Sequence, residues 1–118
     1  MYKVVTIGEK EVPMLSMAST DIYYKNTFNE DPLKIQTKDD YDAADMYHLF
    51  IRMGFIMAKQ AEIKTRKEMM KLNEEAFLDW VDEFQREDIC DFDKIVEIKD
   101  VYEGNKDTSS KPKKEEDQ

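Results

Sequence analysis

The sequence predicts a mainly helical α+β domain, in which an N-terminal two-stranded β-hairpin packs on a small helical bundle with one long central helix. Two apolar runs flank a glycine near the N-terminus, and apolar residues then recur at helical spacing through most of the chain. The chain has 118 residues, of which 41% are hydrophobic, so it can build one small core. We expect a single domain over residues 1–104.

The hairpin is predicted over residues 2–17. Residues 2–7 and 12–17 are rich in apolar and β-branched side chains, and Gly8 in the loop between them supplies dihedral angles that other residues avoid. Pro13 has no N–H to donate, which places the second strand at an edge or ends its pairing there. Because two strands alone are marginally stable in water, the hairpin must lie on helices.

A short first helix is predicted over residues 20–28. Ser19 or Thr20 can cap its first turn. Asn29 is expected to end it, because asparagine is one of the residues that commonly follow a helix.

Residues 29–40 are predicted to form a loop. The Asp31–Pro32 pair is interpreted as a stop signal, since proline cannot continue a helix. Leu33 and Ile35 are expected to anchor this loop onto the core.

The central helix is predicted over residues 40–71, starting near Asp39 or Asp40. Its apolar side chains cover most of the helix circumference: Met46, Tyr47, Leu49, Phe50, Ile51, Met53, Ile56, Met57 and Ala58. A helix with so broad an apolar arc is expected to be covered from more than one direction. Gly54 in its middle costs about 1 kcal/mol relative to alanine, and close approach of another backbone would explain it.

Two further helices are predicted over residues 74–86 and 92–103. Asn73 caps the first, and Asp91 and Gly104 bound the second. The predicted buried residues of the two helices are Phe77, Trp80, Val81, Phe84, Phe92, Ile95, Val96 and Tyr102. Residues 105–118 contain no apolar residue, so they are expected to form a disordered tail.

The formal net charge is −9, and the acidic excess lies in residues 73–103, which carry 12 acidic and 3 basic side chains. Direct binding to nucleic acid phosphates is therefore not expected, because such binding needs basic charge. The acidic stretch is either a solvated face that maintains solubility or a surface for a basic partner, as in a nucleic acid mimic.

The residues offer little for catalysis or metal binding. One histidine, His48, and one cysteine, Cys90, cannot make a usual zinc site, and no glycine-rich phosphate loop exists. We expect His48 on the surface and Cys90 as a small buried or half-buried side chain. Neither an enzyme nor a cofactor is expected. A single cysteine fits a reducing cytoplasmic setting, and no apolar run is long enough for a membrane helix.

Eight methionines in one small domain have two interpretations. They fill irregular gaps in the core, or they provide an adaptable surface for apolar partner helices. The apolar arc of the central helix can also exceed its cover and leave a patch for self-association or a client. The candidate partner-binding residues are Ile51, Phe55, Ala58, Met69 and Met70.

The order of several segments carries a resemblance to a known family. After an N-terminal hairpin come Ala18-Ser19-Thr20 with Tyr24 and Phe28, Asp31 with Leu33, Phe55-Ile56-Met57-Ala58-Lys59-Gln60-Ala61, Phe77-Leu78-Asp79-Trp80-Val81-Asp82-Glu83-Phe84, and a Lys-Pro-Lys-Lys segment near the end. Over residues 1–114 the chain resembles the tail assembly chaperones of long-tailed bacteriophages, in the form common among phages and prophages of Gram-positive bacteria. The resemblance lies in the order and pattern of these segments.

The resemblance implies a small protein of the host bacterial cytoplasm that is absent from the mature virion. Such chaperones bind the long, helical, apolar tape measure protein, keep it soluble and help tail tube protein assemble around it. Helix-in-groove binding is the expected mode of contact. Two other functional hypotheses remain: an acidic adaptor or nucleic-acid-mimic inhibitor that uses residues 73–103, and a structural tail or connector subunit.

Overall fold

The structure is a computed structural model that describes residues 1–104. Within them the chain forms a hairpin followed by seven helices. The elements in order are β1 (Tyr2–Ile7), β2 (Lys10–Leu15), α1 (Thr20–Phe28), α2 (Pro32–Thr37), α3 (Ala43–Glu62), α4 (Arg66–Met69), α5 (Glu74–Val81), α6 (Arg86–Ile89) and α7 (Phe92–Glu103). The predicted fold class is confirmed, while the predicted tail lies outside the described residues. None of the helices in this part of the chain is long and apolar enough to cross a membrane.

The β-hairpin pairs β1 and β2 in antiparallel register, with Val5 opposite Val12. Its inner face is buried and consists of Val5, Ile7, Val12 and Met14, and it packs on α3 and α7. The connecting loop is only Gly8 and Glu9, so β2 begins at Lys10, earlier than predicted. Gly8 has a φ of 63°, a left-handed conformation that favours glycine, and the Asp88 carboxylate lies close to its Cα.

The first helix has the predicted bounds, but the predicted side-chain cap is absent, since Ser19 at the N-cap makes no capping hydrogen bond and Thr20 Oγ1 bonds Gln60. Asn29 adopts the left-handed conformation, with φ 55° and ψ 38°, and its N–H donates to the Lys25 carbonyl oxygen. This is the αL helix end for which asparagine is suited.

The loop predicted over residues 29–40 is wrong, because α2 lies within it. The Asp31 side chain accepts a hydrogen bond from the Leu33 N–H, and Pro32 occupies the first helical position. Proline is tolerated there because that position has no intrahelical partner for an N–H, so the Asp31–Pro32 pair starts a helix. Leu33 is exposed, whereas Ile35 packs against the core as predicted.

The central helix is shorter than predicted, since α3 spans Ala43–Glu62 instead of residues 40–71. It begins at a capping box in which the side chains of Asp42 and Asp45 each accept from the other's backbone N–H. After Glu62 the backbone becomes extended, and the Thr65 side chain caps the separate helix α4. The broad apolar arc is confirmed, because α3 contacts the hairpin, α1, α2, α5 and α7.

The C-terminal helices begin at the predicted caps. The side chains of Asn73 and Asp91 accept backbone hydrogen bonds at the starts of α5 and α7. However, α5 ends at Val81, and the rest of the predicted helix 74–86 is a turn followed by α6. Two burial predictions are also wrong, since Cys90 and Phe92 are exposed. Both residues lie at the junction of α6 and α7, where the neighbouring elements leave them uncovered.

Side-chain hydrogen bonds join the helices to one another. Thr20 Oγ1 donates to Gln60 Oε1 at 2.6 Å, which links the start of α1 to α3 in the buried interior. The Tyr102 hydroxyl donates to Asp21 Oδ1 at 2.7 Å and so ties α7 to the first turn of α1. These bonds hold α1 and α7 in fixed positions around α3.

Candidate partner-binding groove

An open groove of about 650 Å³ lies between β2, α3 and the end of α5, and we call it the groove. Its apolar lining residues are Val12, Pro13, Ala58, Ala61, Trp80 and Phe84. The two alanines lie on consecutive turns of α3 and leave the space that larger side chains would fill. The size falls within the range typical of binding sites in proteins.

Aromatic packing forms one wall of the groove. The centroid of the Trp80 ring lies 5.8 Å from that of the Phe55 ring and 5.1 Å from that of the Phe84 ring. Phe55 is fully buried beneath this wall and also contacts Phe77, at 5.6 Å between ring centroids. Trp80 and Phe84 therefore belong to one network of packed rings that forms this wall.

Charged residues form the rim: Lys10, Glu11, Lys59, Glu62 and Glu83. The Lys10 ammonium lies 3.2 Å from the Glu83 carboxylate and 5.6 Å from the centre of the Phe84 ring. Lys59 pairs with Glu62 at 3.4 Å and lies 5.9 Å from the centre of the Phe55 ring. An apolar floor with a rim of both signs suits an amphipathic helix, whose apolar face enters while its polar face remains in water.

The strand that borders the groove does not favour an added strand. In the described residues β2 pairs with β1 alone, so its second edge is unpaired. Pro13 lies in the middle of that edge and has no N–H, so it interrupts any backbone ladder there, as predicted for an edge strand. Helical partners therefore fit this groove better than extended ones.

The structure brings only part of the predicted partner-binding set to the groove. Ala58 lines its floor and Phe55 supports its aromatic wall from below, while Ile51 is half-buried one turn away on α3. Met69 is buried beside Met17 and Tyr23 in another small cavity of about 140 Å³. Met70 is 48% exposed next to α1, where its carbonyl oxygen accepts from Asn26.

Two main components of the groove were not among the sequence-based candidates. Trp80 and Phe84 were assigned to the core, and Trp80 is indeed only 6% exposed although its edge lines the groove. Helical periodicity identifies which face of a helix is apolar, but it does not show which other segments pack on that face. The sequence of β2 did not indicate that its residues line a groove. Side chains of a strand alternate between a buried and an exposed face whether or not a groove lies beside the strand.

Part of the acidic excess is paired within the protein. Glu83 pairs with Lys10, Glu97 with Lys94 and with Lys3, and Glu103 with Lys99. Several carboxylates of α5 and of the residue that follows it remain on the exposed surface: Glu74, Glu75, Asp79 and Asp82. The acidic surface therefore adjoins the groove at Glu83 but extends away from it along α5.

A smaller polar cavity of about 260 Å³ lies between α2 and α3. Arg52 pairs with Glu30 at 2.8 Å and Lys38 with Asp45 at 3.3 Å, so charges of opposite sign compensate one another here. His48 also lines this cavity and is exposed, as predicted. Such compensation leaves no excess charge to attract an ionic ligand.

The described residues hold no group of three or more His, Cys, Asp or Glu side chains that could bind a metal ion. The largest pKa changes belong to two tyrosines far from the groove. Burial, with Glu30 nearby, raises the pKa of Tyr24 well above its ordinary value, and burial with Asp21 nearby does the same to the pKa of Tyr102. Both groups are hydrogen-bond donors that join elements of the fold.

Comparison with family models, with curated proteins and with solved structures found no match for this chain.

Proposed function

We propose that this protein is a non-enzymatic phage tail assembly chaperone that binds an apolar helical segment of the tape measure protein in the groove. It would keep that client soluble in the host cytoplasm while tail tube protein assembles around it, and it would be absent from the mature virion. The proposal rests on the family resemblance of residues 1–114 together with the groove. The groove is the observation that carries it, because a chaperone of apolar helices needs a preformed apolar surface.

The match between groove and client is one of shape and polarity. Ala58 and Ala61 leave room on α3, and Trp80 and Phe84 supply aromatic surface. The rim offers both ammonium and carboxylate groups, so the polar face of an amphipathic client can form hydrogen bonds and ion pairs. A tape measure protein is long and helical, so it presents many apolar faces that need temporary cover.

The test is co-expression of the full chain with the tape measure protein encoded in the same gene neighbourhood. We expect a soluble complex with the wild-type chain. Ala61→Glu places a charge on the apolar floor and is expected to reduce client capture at least tenfold, because the carboxylate must be desolvated. Ala44→Glu is the matched control, since Ala44 is an exposed residue of the same helix far from the groove.

Equal capture by Ala61→Glu and Ala44→Glu would contradict binding in the groove. A client that stays insoluble with the wild-type chain would contradict the chaperone itself. Detection of the protein in purified virions would instead favour a structural tail or connector subunit.

The second candidate function is an acidic adaptor or nucleic-acid-mimic inhibitor, which the exposed carboxylates of α5 favour. Neutralising Glu74, Glu75, Asp79 and Asp82 to the corresponding amides separates the two functions. Client capture through the groove should survive this change, whereas inhibition of a basic partner should be lost. Glu83 is left unchanged because it lines the groove and pairs with Lys10.

A further inference from the structure

The small cavity of about 140 Å³ beside Tyr23 lies where α1, the end of α3 and the segment leading into α4 meet, and we call it the Tyr23 cavity. Its polar lining residues are Ser19, Tyr23, Gln60, Lys64, Thr65 and Arg66, and no acidic residue lines it. Pockets for larger organic ligands begin at roughly 300 Å³. The Tyr23 cavity therefore suits a small ligand.

Two cations border the Tyr23 cavity without an ion-pair partner. Neither Lys64 nor Arg66 pairs with a carboxylate of residues 1–104. The acidic residues nearest to them in sequence have other contacts, since Glu62 pairs with another lysine and Glu68 accepts a hydrogen bond from Thr65, each at 3.4 Å. The positive charge at the cavity is thus not compensated from within the described part of the chain.

The Tyr23 hydroxyl is a donor without a protein partner in the described residues. Tyr23 is only 7% exposed. In residues 1–104, Thr27 Oγ1 is the one fully enclosed side-chain polar atom that lacks a partner, so the unpartnered Tyr23 oxygen reaches open space. Because buried polar groups normally find a hydrogen-bond partner, this hydroxyl is available to a ligand in the cavity that Tyr23 lines.

The hydrogen bonds of Thr20 fix which end of the Gln60 amide faces Ser19. Thr20 Oγ1 accepts from the Met17 N–H at 2.8 Å, so its own hydrogen is donated to Gln60 Oε1 at 2.6 Å. Gln60 Nε2 is therefore the atom turned toward Ser19, 3.5 Å from Oγ. This long contact engages one of the two amide N–H groups, and Ser19 makes no capping hydrogen bond. An amide N–H and a hydroxyl hydrogen thus remain as donors at the cavity.

We propose that the Tyr23 cavity binds a phosphate group, either as inorganic phosphate or as the phosphate of a small monoester. The donors are the Lys64 ammonium, the Arg66 guanidinium, two hydroxyls and the Gln60 amide, and they come from three segments of the chain. Phosphate oxygens accept charge-assisted hydrogen bonds from both kinds of cation. A carboxylate has only two oxygens and would leave part of this donor set unused.

The charge around the Tyr23 cavity also favours an anion. Residues 64–71 carry four basic side chains and one acidic side chain, although the whole chain has a net charge of −9. Opposite charge concentrated at one place raises the local concentration of an anionic ligand. The ligand is thus attracted to this end of the molecule and repelled by the acidic surface of α5.

The test is titration of the full chain with inorganic phosphate, followed by NMR of the backbone amides. Ionic strength is held constant with chloride, which separates binding at a site from general screening. We expect saturable shifts at the amides of residues 17–23 and 60–66, which contain most of the lining. Shifts that never saturate, or that lie mainly elsewhere, would overturn the proposal.

Lys64→Gln combined with Arg66→Gln removes both cations of the cavity. We expect the dissociation constant for phosphate to rise at least tenfold. Lys67→Gln combined with Lys71→Gln is the matched control, because it removes the same charge from the same segment at exposed residues that do not line the cavity. The control should bind like the wild type. Equal weakening by the two double variants would indicate general attraction to a basic surface and overturn the site.

Tyr23→Phe removes the hydroxyl alone. Since that hydroxyl has no partner in the described residues, we expect the melting temperature without phosphate to stay unchanged while the dissociation constant rises at least threefold. This variant keeps the fold and so covers the case in which the cation variants are perturbed. Wild-type affinity in Tyr23→Phe would overturn the proposed site.

Glycerol phosphate distinguishes the two sources of the phosphate group. Tighter binding than that of inorganic phosphate assigns the cavity to a monoester, and weaker binding assigns it to the free ion. Acetate at the same ionic strength is the control for charge alone, and binding as tight as that of phosphate would overturn the ligand class. The Tyr23 cavity is separate from the groove, so none of these results bears on client capture.

Discussion

Gly54 of α3 and Ile98 of α7 pack against each other at the centre of the domain. A Cβ atom on residue 54 would lie 3.2 Å from Ile98 Cδ1 and 3.4 Å from Ile98 Cγ2. The neighbour that explains this mid-helix glycine is therefore an isoleucine side chain, and not the backbone that the sequence suggested. The absence of a side chain at residue 54 lets α7 lie close to α3.

Gly54→Ala is expected to destabilise the protein by about 1 kcal/mol, because overpacking against buried Ile98 outweighs the gain in helix propensity. In an Ile98→Val background, which removes Cδ1, the same change is expected to be neutral or stabilising. Urea denaturation of the four proteins gives the coupling energy. Stabilisation by Gly54→Ala in the wild-type background would show that the contact is not tight.

The Lys10–Glu83 pair crosses from β2 to the turn after α5 at the rim of the groove. Both side chains are about half exposed, so the pair contributes at most about 1 kcal/mol to stability. Lys10→Met keeps the stem of the side chain on Phe84 but removes the ammonium. We expect it to weaken client peptide binding by up to about fivefold, since the rim loses an ammonium group that can pair with the polar face of the client. Unchanged or tighter binding would mean that Lys10 makes no contact with the client.

Trp80 is the only tryptophan in the chain and it lines the groove, so its fluorescence reports on occupancy. Titration with an amphipathic helical peptide from the tape measure protein is expected to change its emission saturably, because a bound helix changes the surroundings of the ring at the groove. Ala61→Glu should shift the titration to at least tenfold higher peptide concentration. An unchanged emission during measurable binding would place the peptide elsewhere on the protein.

The environments of Tyr24 and Tyr102 predict that the folded protein becomes less stable at alkaline pH. Their hydroxyls donate to Glu30 and Asp21, and burial followed by these carboxylates raises the pKa of each phenol in the folded state. An unfolded tyrosine ionises near pH 10, so above that pH the folded state holds more protons. The free energy of unfolding should then fall by about 1.4 kcal/mol per pH unit for each tyrosine.

Urea denaturation between pH 9 and pH 11 measures this slope. Tyr24→Phe and Tyr102→Phe should each reduce the decrease in unfolding free energy per pH unit by the contribution of one proton. Neither change should alter the pH dependence of the unfolding free energy near neutral pH. A slope that persists in the double variant would assign alkaline unfolding to other groups.

Elements marked by local capping residues were predicted well from the sequence. Asn29 ends α1, Asn73 starts α5 and Asp91 starts α7, each through a hydrogen bond to a nearby backbone group. The central helix was predicted too long because periodicity continues weakly past Glu62. Its end depends on the Thr65 cap and on how the chain turns back toward α1, and neither is visible in the apolar pattern.

The groove was predicted only in part, through Ala58 and Phe55. Its remaining walls come from β2 and α5, which are remote from α3 in the sequence. Met69 shows the opposite error, because a methionine in a charged stretch looked exposed yet is buried against α1 and α3 residues. Exposure of an apolar residue depends on which distant segment covers it.

The sequence by itself determined the acidic composition, the hairpin, the presence of a long central helix and the caps Asn73 and Asp91 at which α5 and α7 begin. These features follow from backbone and side-chain interactions among residues a few positions apart. Only the tertiary structure decided where apolar surface remains open, namely at the groove beside Trp80, and which polar side chains meet at the Tyr23 cavity. Both sites arise because packing brings together segments that lie far apart in the chain.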